Sequence, residues 1–184
     1  ALGAEFWVDF VRDHPNAILA LWLEPAELAE LDALGQLTTG QPRAFFLSST
    51  LLQSQWQQVP ERLRDRVFIT WPWALPQEAK VKQMGVLQWM KVRGITYDRP
   101  AIQGSMYFLG WILSDVFMHM RRNFYRDYVL DLMDMMRDQT YTIALYPRLS
   151  FGPGQRYAAK GCYIVQLGPG PHPELIRKSD WVIY

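Results

Sequence analysis

Three continuous apolar runs divide the first part of the chain, at residues 17–23, 44–47 and 67–70. Runs of this length without polar alternation are typical of strands buried on both faces of a parallel sheet. Helical spacing occurs before and between them, at residues 5–13 and 25–34. Strand, helix, strand in this order predicts parallel βαβ units, and therefore an α/β fold.

The middle of the chain has a different pattern, which predicts three consecutive helices at residues 77–92, 100–122 and 125–138. The apolar positions of the last two helices recur at close to helical spacing, which favours a role in the core over a role in ligand binding. These positions are Met106, Leu109, Ile112, Leu113, Val116, Phe117, Met120, Tyr128, Leu132, Met135 and Met136.

The last forty residues return to strand-like runs. Residues 146–167 place two such runs around a glycine- and proline-rich turn at 152–154, which predicts a closing hairpin. Its basic residues, Arg148, Arg156 and Lys160, would form either an anion site or a solvated hairpin face.

Composition excludes several classes of function. With 184 residues the chain is long enough for a stable core, and its 19 basic residues nearly balance its 18 acidic residues. Without a basic run there is no electrostatic signal for nucleic-acid binding. Eight Trp, nine Tyr, nine Phe and eight Met would fill an ordinary core or line a groove for an apolar ligand.

Catalysis has little support in the sequence. The single cysteine, Cys162, excludes an internal disulfide, and its apolar neighbours favour a buried structural thiol over a nucleophile. Asp127, Asp131 and Asp134 share a helix face, but no histidine joins them at metal-ligand spacing. Phosphate loops and hydrolase motifs are absent. We therefore predict a protein that is not an enzyme and uses no cofactor.

The order of elements, more than any single motif, resembles one family. Its signals are a helix and strand at 6–23, Phe-Phe-Leu-Ser-Ser-Thr at 45–50, a strand leading into Trp-Pro at 67–72, Tyr-Asp-Arg-Pro-Ala at 97–101, and Phe-Gly-turn-Lys-Gly at 151–161. Together they resemble the C-terminal portion of a type I periplasmic substrate-binding protein. The type is that of the branched-chain amino-acid/amide ABC importers, similar to Leu/Ile/Val-binding proteins.

The resemblance implies part of a two-lobed fold with parallel βαβ units and a helical return segment. Residues 1–72 would belong to the second lobe, 73–145 would cross the hinge and form helices of the first lobe, and 146–184 would supply closing strands and the hinge return. An N-terminal half would then be missing or lie on a separate polypeptide. The serine and threonine that grip an amino acid in the family's first lobe have no counterpart here, so an amino-acid ligand is not implied.

The same resemblance implies partners and a location. The partners are a small-molecule ligand, a membrane transporter permease and the missing N-terminal half. The location is the periplasm. No signal peptide opens this chain, which fits either a cytoplasmic protein or a trimmed portion of a longer precursor. No apolar run reaches the length of a membrane span.

Candidate ligand residues follow the three predicted strands, because ligands of open α/β sheets lie beyond the carboxyl ends of strands. Glu24 would pair with a ligand cation or with the dipole of the helix it precedes. Ser48, Ser49 and Thr50 would offer hydroxyls to a polar ligand group or cap the following turn.

Tryptophans follow the third strand. Trp71 and Trp73, which flank Pro72 and precede Pro76, would either line a cleft beside the hinge or cover the interface between lobes. Together with Trp56, these two residues would line a pocket for a bulky apolar or aromatic molecule such as a lipid, and Phe46 would line it further.

The predicted function is therefore capture of a small, apolar or aromatic-rich ligand by hinge closure and its delivery to a transporter. The alternative is an interaction or sensor module with a binding-protein-like fold that contacts a redox or signalling partner. A permease and an ATPase encoded beside the protein would favour transport.

Overall fold

A computed structural model gives the architecture of most of the chain. It describes residues 3–37, 39–136, 146–149, 151 and 157–183, with the side chain of residue 101 left aside. Arg156 and the turn of the predicted closing hairpin lie outside these residues.

The described residues contain six α-helices, three short 3₁₀ helices and six strands. The α-helices are α1 (Ala4–Asp13), α2 (Asp32–Gly35), α3 (Ser49–Leu52), α4 (Pro76–Val92), α5 (Pro100–Met120) and α6 (Arg126–Asp134). The 3₁₀ helices are Pro25–Leu31, Gln53–Gln58 and Glu61–Leu63. The strands are β1 (Ile18–Leu21), β2 (Ala44–Ser48), β3 (Val67–Trp71), β4 (Gly161–Leu167), β5 (Leu175–Arg177) and β6 (Val182–Ile183).

One sheet joins all six strands in the order β1-β2-β3-β4-β5, with β6 paired to β4. β1, β2 and β3 are parallel, whereas β4 is antiparallel to both β3 and β5. The predicted α/β fold with parallel βαβ units is confirmed. Three parallel neighbours connected through helices are its core.

The predicted closing hairpin, with its turn at 152–154, lies partly outside the described residues and stays a prediction. Its second run is β4, but residues 146–149 contain only a single bridge residue, Leu149. Within the described ranges, an antiparallel hairpin joins β4 to β5, with Val165 opposite Arg177.

Two compact units divide the chain. The first contains Ala1–Pro72 with Cys162–Val182, and the second contains Trp73–Gly161 with Ile183–Tyr184. The assignment of sequence ranges to the lobes and hinge of a binding protein stays a prediction.

The core of the first unit lies on one face of the sheet. Along β2 and β3 the side chains alternate, so that Phe45, Leu47, Val67 and Ile69 are buried. Apolar residues from the helices of this unit complete the core: Trp7, Val11, Leu28, Leu31, Leu34, Leu52 and Leu63.

The opposite face of these two strands and of β1 is covered only in part. Ile18 is 60% exposed, and Phe46 and Phe68 are half-buried, stacked with their ring centroids 5.4 Å apart. The prediction that these strands are buried on both faces is therefore wrong for the described part of the unit, in which only one face carries a core.

A buried arginine fastens the β4–β5 connection to the rest of the first unit. The Arg64 guanidinium donates hydrogen bonds to the carbonyls of Gly168 (3.3 Å) and Gly170 (2.7 Å) at that connection. It also donates to the carbonyls of Val59 (3.1 Å) and Gln57 (3.3 Å). Since it is only 9% exposed, Arg64 satisfies four carbonyl groups largely out of contact with water.

The second unit has a small core between α5 and α6. Ile112, Val116, Met120 and Met136 are buried there, as the helical spacing predicts, and Tyr128 and Leu132 are among the residues packed against them. Four other positions of the predicted core are instead exposed: Met106, Leu109, Phe117 and Met135.

No helix in the described ranges combines the length and the apolar character needed to span a bilayer.

Candidate ligand-binding site

The carboxyl ends of the three parallel strands lie side by side. Leu21 is aligned with Leu47 across β1 and β2, and Ser48 is aligned with Thr70 across β2 and β3. The residues that follow these strands therefore occupy one edge of the sheet, where open α/β folds bind ligands.

Glu24 is exposed beyond the end of β1, at the start of the 3₁₀ helix Pro25–Leu31. Its backbone N–H donates to Oε2 of Glu27 (2.8 Å), and its carbonyl accepts from the Glu27 N–H (3.0 Å). The residue is thereby held at the edge, two positions after Trp22, which is 77% exposed.

The three hydroxyl residues after β2 differ in their surroundings. Ser48 is half-buried at the start of α3, and its side chain makes no capping hydrogen bond to that helix. Ser49 is fully buried and donates its hydroxyl proton to the Thr70 carbonyl (2.6 Å), which ties α3 to β3. Thr50 is exposed. Ser48 and Thr50 are thus the two hydroxyls with access to solvent.

Two of the predicted tryptophans are in contact. The rings of Trp56 and Trp71 meet edge to face with their centroids 5.6 Å apart, and both residues are half-buried. Phe46 does not share this pocket. It lies one residue from Phe45 and is aligned with Phe68, so its side chain leaves the face of the sheet opposite to that of Trp71.

Two aromatic residues that were not predicted from the sequence extend this cluster. Tyr163 on β4 is the aligned partner of Trp71, so both side chains leave the same face of the sheet. The Tyr163 ring packs edge to face against Trp181 at 5.1 Å, and the Arg177 guanidinium lies 5.9 Å from its centroid. No local pattern pointed to them, because the pairing of β3 with β4 joins distant parts of the sequence.

The remaining candidates belong to the second compact unit or lie outside the described residues. Trp73 belongs to the second compact unit, where it is half-buried. Arg148 and Lys160 are half-buried in the same unit, and Arg156 is outside the described residues. Within the described ranges, no group of three or more His, Cys, Asp or Glu side chains is placed to hold a metal ion.

Cys162 is the one thiol of the chain and lies half-buried in β4. Burial raises the pKa of its thiol, because the charged thiolate loses solvation. The thiolate fraction at neutral pH is therefore smaller than for an exposed cysteine, which favours a structural role.

We expect iodoacetamide to alkylate Cys162 at pH 7.5 more slowly than it alkylates glutathione, since the thiolate is the reactive form. The rate would rise as pH increases through the raised pKa. Urea-unfolded protein is the control and would react like an exposed thiol. An equal rate in the folded protein would contradict the assignment.

Comparison with known proteins supports the fold. No family model matches the sequence, and no curated protein matches it. The crystal structure of an ABC transporter substrate-binding protein from Aeropyrum pernix is similar to the chain, with a TM-score of 0.57 and 13% sequence identity. The similarity covers 98% of this chain and 47% of that chain.

At this identity the likeness shows the fold alone. The described chain is an α/β structure of the kind found in part of a substrate-binding protein, and it spans about half the length of the protein to which it is similar.

Proposed function

We propose that the chain is part of a solute-binding protein of an ABC importer and helps to capture a small, apolar or aromatic-rich ligand such as a lipid. The observation that carries this proposal is the aromatic cluster of Trp56, Trp71, Tyr163 and Trp181 at the carboxyl end of β3. It stands at the edge of the sheet where ligands of such folds bind.

The chemistry of this edge favours burial of apolar surface. Half-buried indoles at Trp56 and Trp71 offer large rigid surfaces, and removal of apolar area from water contributes about 25 cal/mol per Å². Ser48, Thr50 and Glu24 would orient the polar end of the ligand. An apolar body with one polar group fits this arrangement better than a free amino acid does.

The division of the chain into two compact units supports the proposal that the protein captures its ligand by closure of the units. The backbone passes between the two compact units at Pro72–Trp73 and again at Gly161–Cys162. A few residues at such crossings are enough to act as a hinge. In this proposal Trp73, which lies directly after the first crossing, contacts the ligand when the units close.

The finer parts of the proposal follow from the resemblance. The chain would be the C-terminal portion of a protein of the branched-chain amino-acid/amide importer type, located in the periplasm. It would work with an N-terminal half and deliver its ligand to a membrane permease.

A brominated fatty acid tests the tryptophan site, because bromine quenches an indole that it contacts. We expect dibromostearate to quench the fluorescence of the 184-residue chain, and Trp71→Ala to weaken its affinity about tenfold, as expected for loss of an indole contact of roughly 1.5 kcal/mol. Tryptophan fluorescence titration measures both effects.

Phe124→Ala is the matched control, since Phe124 is an exposed aromatic residue between α5 and α6 in the second unit. Its affinity for dibromostearate should equal that of the unchanged protein. Equal affinity in the Trp71→Ala, Trp56→Ala and Trp73→Ala variants would overturn the apolar-ligand proposal.

A further inference from the structure

A cation, Arg177, stands at the same edge of the sheet as the aromatic cluster of Trp56, Trp71, Tyr163 and Trp181. Arg177 is the last residue of β5, and β5 runs parallel to β3 because β4 is antiparallel to both strands. The carboxyl ends of β3 and β5 therefore lie at one edge of the sheet. All five residues belong to the first compact unit.

The side chain of Arg177 also leaves the sheet on the face that carries the cluster. Arg177 is aligned with Val165 of β4, and Val165 is aligned with Ile69 of β3. Because alternate residues of a strand share a face, Tyr163 and Trp71 lie on the same face as these three residues. The Arg177 guanidinium accordingly lies 5.9 Å from the centroid of the Tyr163 ring. A positive charge is thus held beside the apolar surface of the candidate site.

Hydrogen bonds fix the segment that follows β5. The Lys178 N–H donates to the Ile164 carbonyl (2.8 Å), and the Ile164 N–H donates to the hydroxyl oxygen of Ser179 (2.9 Å). Pairing with β4 therefore continues past the end of β5, up to the point where Trp181 packs against Tyr163. The cation is attached to a backbone that is fixed on the sheet.

The charge of Arg177 has a weak partner in Asp180. Nη2 of Arg177 lies 3.7 Å from Oδ1 of Asp180, which is longer than a hydrogen bond. The Arg177 side chain is 50% exposed and the Asp180 side chain is 97% exposed. Since exposed ion pairs of this kind contribute little to stability, an anionic group of a ligand can replace Asp180 at the guanidinium.

Charges of opposite sign lie at the two ends of this sheet edge. Glu24 follows β1, whereas Arg177 ends β5, and these strands are the two ends of the path β1-β2-β3-β4-β5. With neighbouring strands about 4.8 Å apart, β1 and β5 are roughly 19 Å apart. Arg177 would attract an anionic group and Glu24 would repel it, so Glu24 would orient the polar end of the ligand by directing it toward β5.

We propose that Arg177 binds an anionic group of the ligand, and that the ligand is an apolar molecule with a single negative charge, such as a long-chain carboxylate. A guanidinium can bind a carboxylate through two parallel hydrogen bonds. One guanidinium balances one negative charge, which favours a monoanion over a dianionic phosphate group. This inference rests on the proposed function and adds the charge that the ligand carries.

Two probes with the same brominated chain test this charge. Dibromostearate carries a carboxylate, whereas its methyl ester is neutral, and quenching of tryptophan fluorescence measures the affinity of the 184-residue chain for each. We expect the acid to bind about tenfold more tightly than the ester. In Arg177→Gln the two affinities should agree within about twofold, with the affinity for the ester unchanged.

Lys178→Gln is the matched control, because it removes the same charge from the next residue along the chain. Lys178 is exposed, and alternation directs its side chain to the other face of the sheet. This variant should keep the preference for the acid.

The outcomes separate this inference from the proposed function. Equal affinity of the unchanged chain for acid and ester would overturn the anion site and leave the apolar-ligand proposal standing. A preference for the acid that survives in Arg177→Gln, or an equal loss of both affinities in that variant, would also overturn it, because the charge of Arg177 would then not recognise the ligand. If neither probe quenched the fluorescence, the proposed function would be wrong and this inference with it.

Discussion

Replacement of Arg64 by methionine is expected to lower the free energy of unfolding by about 3 kcal/mol. Methionine fills much of the space of the arginine side chain but donates no hydrogen bonds. The carbonyls of Gln57, Val59, Gly168 and Gly170 would lose their donor together in a site that water hardly reaches. The β4–β5 connection would lose two of the hydrogen bonds that attach it to the segment that precedes β3.

Urea denaturation of the two proteins measures this effect. Arg62→Met is the matched control, because Arg62 is exposed in the adjacent 3₁₀ helix Glu61–Leu63. A change within about 0.5 kcal/mol is expected for it. If the two variants were equally stable, the four hydrogen bonds of Arg64 would not have the importance assigned to them.

Phe45→Ala is expected to cost 3 kcal/mol or more, within the range of roughly 3–5 kcal/mol for removal of a buried phenylalanine. Phe45 has no exposed surface, and its backbone N–H donates to the Arg66 carbonyl (2.9 Å). Truncation would leave a cavity at the centre of the sheet, between β1 and β3.

The neighbouring residue supplies the comparison. Phe46→Ala changes the same residue type on the same strand, but its ring lies on the half-exposed face against Phe68. We expect a loss of about 1 kcal/mol, from the stacked pair and partial burial. Equal losses in thermal or urea unfolding would contradict a sheet with a core on one face only.

Local patterns were sufficient for the parallel strands and for the edge at which they end. The apolar runs around Leu19, Phe45 and Val67 are uninterrupted and short, and helical spacing separates them. Because parallel strands end at one edge, Ser48 and Trp71 could be placed there from sequence alone. The rings of Trp56 and Trp71 are in contact in the structure, and their role in ligand binding stays a prediction.

Pairings between distant segments were beyond such reasoning. Tyr163 joins the candidate site because β4 pairs with β3, and nothing in residues 161–167 indicates that partner. A strand-like pattern shows which residues of a segment share a face. It does not show which other strand that segment pairs with, because the pairing depends on the arrangement of the whole sheet.

Coverage of a face also escaped prediction. Helical periodicity groups Met106, Leu109 and Phe117 on one side of α5, but it does not say whether other chain covers that side. The same holds for Phe46 on the sheet. Patterns identify surfaces that are suited to burial, and burial itself depends on which partners are present.

The first unit is discontinuous in sequence, and this has a consequence for synthesis. Ile69 of β3 pairs with Val165 of β4, and Trp73–Gly161, nearly all of the second unit, is encoded between them. At about 5–20 residues per second, a translating ribosome would leave one edge of β3 without its partner for several seconds. The exposed edge of a strand can pair with strands of other chains. The nascent chain would therefore stay free of aggregation only if such pairing with β3 were slow, or if a chaperone shielded β3 until β4 and β5 emerge.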